Sequence, residues 1–92
     1  MPLKMNDLPK SERPYEKMQM YGAKKLSNAE LLAIIIKTGT KDATSLELAS
    51  RVLLLTKELR DLEYISIDSL EAIKGIGRVK AIQIKAVSEL AK

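Results

Sequence analysis

Hydrophobic and polar positions in this chain repeat with helical spacing, and short polar stretches divide them into four or five segments. Pro14 suits the first turn of a helix that Ser11 can cap, because N–H groups there make no intrahelical bond and proline's missing one costs little. That helix is expected to run to about Tyr21, and Gly22 suits its C-terminal stop. Ser27-Asn28-Ala29-Glu30 has capping-box spacing, in which the serine oxygen accepts from the third backbone N–H and the glutamate reaches back. Helix should continue through Leu31 to Lys37, with Gly39 ending it. The run Ile34-Ile35-Ile36 would also suit a strand, but the cap before it and the glycine after it favour helix.

Thr44-Ser45-Leu46-Glu47 repeats the capping signal and opens a third helix, expected over roughly Ser45 to Leu59. Its stripe of Leu48, Val52, Leu55 and Leu59 is that of a helix with one buried face. Arg60 to Ile67 reads as a connection with room for one helical turn. Asp68 or Ser66 would cap a short helix over Ser69 to Lys74, and a last helix is expected from about Arg78 to Ala91. No alternating strand with an Asn-Gly turn is present. The prediction is an all-α domain, a small bundle of four to five helices spanning residues 1–92, with residues 1–10 as a flexible arm.

Composition narrows the chemistry. The 92 residues include no Cys and no His, which removes thiol and imidazole metal ligands, the Ser-His-Asp triad and the cysteine nucleophile. A catalyst would have to work with Asp, Glu, Lys, Arg or Tyr, so no independent enzyme is expected. Met18 and Met20 read as core fill. Arg13, Glu16 and Lys17 read as helix-surface pairing, and Glu58, Asp61 and Glu63 as a solvated turn without calcium-loop spacing. The N-terminus has no apolar signal region, and the longest apolar run, Leu31 to Ile36, is far short of a bilayer span. A soluble, cytoplasmic protein without a membrane partner is expected.

The charge is uneven. Of 16 basic residues, Lys74, Arg78, Lys80 and Lys85 fall between Ala72 and Ser88, where no acidic residue occurs; the rest of the chain balances its 12 acidic residues, so the whole net charge of +4 belongs to that stretch. A localised positive potential suits a polyanion, nucleic acid above all, although a solvated lysine face would give the same count. At its centre stands Leu70-x-x-Ile73-Lys74-Gly75-Ile76-Gly77-Arg78-Val79-Lys80-Ala81-x-x-Ile84. Gly75 and Gly77 permit a hairpin whose backbone can approach a ligand, and either can take a positive φ. Ile76 can anchor the loop, Ala81 lets two helices cross closely, and Ile84 can pack on Leu70 and Ile73. The free N–H groups opening the last helix would face a phosphate oxygen.

This pattern resembles the helix-hairpin-helix motif, which binds DNA backbone without reading sequence; a tight helical corner that only packs would use similar residues. The candidate DNA-binding residues are Lys74, Gly75, Ile76, Gly77, Arg78, Val79 and Lys80. A second, degenerate copy can be laid on Leu32-x-x-Ile35-x-Lys37-Thr38-Gly39-Thr40, with Ser45 to Val52 as its second helix. Lys37, Thr38, Gly39, Thr40 and Lys41 would form its loop, although Thr40 replaces the second glycine and Asp42 adds a negative charge. Carbonyls of such a loop also offer a place for a monovalent cation around Gly75–Gly77; no other cofactor is implied. Base readout and base stacking lack support, since the aromatics Tyr15, Tyr21 and Tyr64 all lie outside the basic stretch.

The wider chain resembles the N-terminal domain of the RadC family, a UPF0758-type group of DNA-repair-like proteins. The matching stretches are Leu8-Pro9, Arg13-Pro14-x-Glu16-Lys17, Leu26-Ser27-Asn28-Ala29-Glu30-Leu31-Leu32-Ala33-Ile34, Thr38-Gly39-Thr40, Leu48-Ala49, Gly75-Ile76-Gly77-x-x-Lys80-Ala81 and Glu89-Leu90-Ala91. The resemblance implies a fragment of a longer protein whose C-terminal part is a JAB/MPN metalloprotease-like domain with His and Asp zinc ligands. It implies a DNA-binding module contacting phosphate through the Gly75-Ile76-Gly77 hairpin. The alternative it leaves is a protein-interaction or regulatory domain that docks on that C-terminal domain or on another partner.

Overall fold

The computed structural model describes residues 13–56 and 58–92. Among these described residues are five α-helices, α1 (Pro14–Tyr21), α2 (Asn28–Ile36), α3 (Ser45–Leu53), α4 (Ile67–Glu71) and α5 (Arg78–Leu90), with 3₁₀ turns at Ala23–Lys25 and Leu59–Tyr64. No strand occurs among the described residues; an isolated bridge joins Thr40 to Ala43. The all-α reading therefore holds. The expected arm, residues 1–10, and the Ser11 cap lie outside the described residues.

Local signals set most of the helix starts. Pro14 is at the first position of α1 behind Arg13, and the Gly22 N–H bonds to the Met18 carbonyl at φ +84°. Both capping boxes close: Glu30 N–H donates to Ser27 Oγ at 3.2 Å while Ser27 N–H donates to Glu30 Oε1 at 2.9 Å. The Thr44–Glu47 pair repeats this at 3.0 and 3.3 Å. Ser66, rather than Asp68, caps α4 through its Oγ and the Ser69 N–H. That helix is consequently two residues earlier than the sequence suggested and ends at Glu71.

Three expectations fail for tertiary reasons. First, α3 stops at Leu53 instead of Leu59. Leu48 and Val52 are fully buried, but Leu55 is 50% exposed and Leu59 42%, so the stripe outlives the surface it packs on. Thr56 closes the end, with its Oγ1 donating to the Leu53 carbonyl at 2.9 Å. Second, Met20 is exposed, because α1 turns only one side toward the bundle. Third, Lys17 pairs with Glu30 on α2 at 3.0 Å instead of within its own helix.

The core joins α2, α3, α4 and α5. Leu48, Val52, Leu70 and Ile84 are its fully enclosed large side chains, with Leu32, Ile36, Leu62 and Ile76 around them. Ala49 and Ala81, both fully buried, supply the small contact points at which helices approach closely.

The Lys17–Glu30 bridge ties α1 to α2 and carries a pH signature. The Ser27 N–H, and after it the Lys17 ammonium, hold the Glu30 carboxyl below its usual range, outweighing partial burial that pushes it up. A carboxyl lowered in the folded state stabilises the fold above its ordinary pKa and loses that contribution as pH falls through the lowered value. Thermal melts through the acid range should therefore show wild type losing stability more steeply than Glu30→Gln. Parallel acid profiles would contradict this.

Candidate functional site

The loop between α4 and α5 is built on its two glycines, which do different work. Gly75 sits at φ +95° in a turn closed by the Ile76 N–H on the Ile73 carbonyl at 3.0 Å. A side chain there would strike Leu48 Cδ2. Gly77 is the N-cap of α5 at φ −86°, ψ −180°, an extended conformation open to any residue. A Cβ there would meet nothing within 4 Å. Gly22 and Gly75 need positive φ, and Gly39 lies so close to the Ala43 carbonyl and Thr44 backbone that no Cβ fits. Gly77 is thus the one glycine of the described residues that the chain's own packing and backbone do not require.

The start of α5 is also chemically bare. No side chain caps it and its first turn holds no acidic residue, whereas α2, α3 and α4 are each capped by a Ser or Thr side chain. Its first amides, at Arg78, Val79 and Lys80, precede the first helical bond, from Ala81 N–H to the Gly77 carbonyl at 3.0 Å. Val79 is 71% exposed beside them, while Ile76 is buried and holds the loop to the core.

The four cations of the basic stretch divide into two pairs. Arg78 Nη1 bonds Asp68 Oδ1 at 3.0 Å and Glu71 Oε1 at 3.1 Å, and these carboxylates, Glu71 foremost, raise its pKa. Lys85 donates to the Leu62 and Glu63 carbonyls at 3.0 and 2.9 Å and closes the Leu59–Tyr64 turn. Lys74 and Lys80 have no ion-pair partner among the described residues. The acid-free window overstated the local charge, because Glu71 lies one position outside it.

Sequence reasoning missed Arg51. From α3 its guanidinium reaches the loop and donates to the Lys74 carbonyl at 2.8 Å, which adds a positive group and braces the turn. Twenty-three residues separate the two, and no local signal links them. A monovalent cation at this loop would have to sit beside that guanidinium. The carbonyls of Ile73, Lys74 and Gly77 already accept bonds from within the chain.

The loop between α2 and α3 meets the first one. Thr40 Cγ2 lies 3.5 Å from the point a Cβ on Gly75 would occupy. Its positive φ falls on Lys37 (+70°), not on Gly39. Lys37 is five residues after Leu32, as Gly75 is five after Leu70. With ψ −62° and the Thr38 N–H on the Ile36 carbonyl at 2.9 Å, Lys37 is the centre of a strained γ-turn. Lys37, Thr38, Gly39, Thr40 and Lys41 are all exposed. The acidic groups of the connection have structural partners: Glu58 pairs with Arg60 and Glu63 with Lys92, and Asp61 accepts the Glu58 N–H.

The described residues form a small helical domain in which two helix–loop–helix units, α2–α3 and α4–α5, bring their loops together. No helix among them is long and apolar enough to cross a membrane. The chain belongs to the UPF0758 family: residues 5–82 match the family model for the UPF0758 N-terminal region. It is 53% identical over 89 residues to a UPF0758 protein of Clostridium botulinum strain Hall, covering 97% of this chain and 39% of that protein. A UPF0758 protein of Alkaliphilus oremlandii is 48% identical over 91 residues, covering 98% and 39%. This chain thus spans well under half the length of these relatives, as expected of an N-terminal fragment of a RadC-type protein. No solved structure matches it.

Proposed function

We propose that this domain is a helix-hairpin-helix module that binds DNA through the phosphate backbone without reading sequence. The observation that carries the reading is Gly77, a glycine at an uncapped helix N-terminus with open space where its side chain would be. Such a residue is explained by something that approaches from outside, and bare amides at a helix start suit a phosphate oxygen. Lys74 and Lys80, whose ammonium groups have no ion-pair partner among the described residues, flank the point with the charge a polyanion needs. Arg78, engaged by Asp68 and Glu71, is a weaker contributor than its position in the sequence suggests. The test is titration of a labelled duplex at low and high salt with wild type and with Lys74→Glu/Lys80→Glu. Equal binding by the two proteins would overturn the reading.

A further inference from the structure

A second surface of the domain has nothing to do with phosphate. Between α1, α2, the Leu59–Tyr64 turn and the last turns of α5 lies a groove of about 520 Å³. Its wall is aliphatic, with Leu31, Ile34, Ile35, Leu59 and Val87 among its lining residues. A volume of this size takes several apolar side chains, and leaving aliphatic surface wet costs about 25 cal/mol per Å². Leu59, on its rim, is 42% exposed, and it belongs to the leucine stripe that runs past the end of α3.

We propose that this groove is the seat of the polypeptide that follows this region in the full-length relatives. Two observations choose that occupant. The relatives extend far beyond the matched stretch, which covers only 39% of each, and the matched family region is N-terminal, so their remaining chain continues from the α5 side. Ser88, Ala91 and Lys92, at the end of α5, themselves line the groove. A chain continuing from that point starts at the lip, where tethering gives an apolar segment a millimolar effective concentration. The face would be covered wherever that polypeptide is present. The inference stands apart from the DNA reading, since none of the groove's lining residues belongs to either loop.

The chain contains no cysteine, so an introduced thiol reports on the groove directly. Leu59→Cys and the near-isosteric Ser88→Cys, which line it, and Leu54→Cys, 83% exposed and outside it, would each be alkylated in two forms of the protein. One form is this chain; the other is this chain joined to the remainder of the C. botulinum relative, with labelled positions located by peptide mass. Alkylation at 59 and 88 should slow by about tenfold or more in the joined protein, a shift of roughly 1.4 kcal/mol in opening, while position 54 reacts alike in both. Equal rates at 59 and 88 in the two forms would overturn the proposal. Protection in this chain alone that grows with its concentration would overturn it too, pointing to a second copy as the occupant.

Discussion

Gly75→Val is expected to destabilise the domain by about 2–4 kcal/mol, a fall in Tm on the order of 10–25 °C for a domain of this size. Two costs add. The residue holds φ +95°, a region that a β-branched side chain can enter only under strain. Its Cβ would also drive into Leu48 Cδ2, and Leu48 is fully buried with no room to swing aside. Gly77→Val, two residues on, should cost no more than about 1 kcal/mol, the loss of a favoured N-cap residue, because the backbone there is extended and the space is open. Thermal melts followed by circular dichroism would separate the two. Equal losses would mean that Gly77 too serves the fold, and the strongest support for a ligand at this loop would be gone.

The charge reversal Lys74→Glu/Lys80→Glu should have the largest effect on binding. Each phosphate neutralised by a lysine contributes about −0.9 to the slope of log K against log salt. Losing two contacts should flatten the slope by about 1.8 and weaken binding on the order of tenfold or more at low salt, where wild type binds more tightly than the roughly 10⁻⁴–10⁻⁶ M of non-specific complexes at physiological salt. Neither lysine's ammonium has an ion-pair partner among the described residues, and the Arg51 bond to Lys74 is to its backbone carbonyl, so the melting temperature should barely move. Reversing Arg78 would confuse the result, since its guanidinium holds α5 to Asp68 and Glu71 on α4. Unchanged affinity and slope in the double variant would place any DNA contact elsewhere.

What could be read in the sequence was what is decided locally. The caps at Ser27 and Thr44 work within four residues, so their helices were predictable from spacing alone. So was the packing around the turn at Gly75, where Ile76, Ala81 and Ile84 have the burial their positions implied. The end of α3 was not, because Leu53, Leu54, Leu55 and Leu59 carry no local stop signal. Where that helix ends depends on which of them finds a partner across the core. The charge of the site was misjudged for the same reason. Its real pattern depends on Arg51 reaching the loop from α3 and on Asp68 and Glu71 drawing Arg78 away. In the second loop the left-handed residue is a lysine where glycine was the natural guess, since only the fold shows that Gly39 is needed for the close approach of the backbone at Ala43 and Thr44.

The most direct test of the central claim is a backbone amide NMR titration of this chain with a short duplex at low salt. Phosphate binding at the start of α5 predicts that the amides of Gly77, Arg78, Val79 and Lys80 shift first and most. Added shifts over Lys37–Lys41 would mean that both loops engage. A spectrum in which those four amides stay fixed while saturating duplex moves others, or none, would contradict the account.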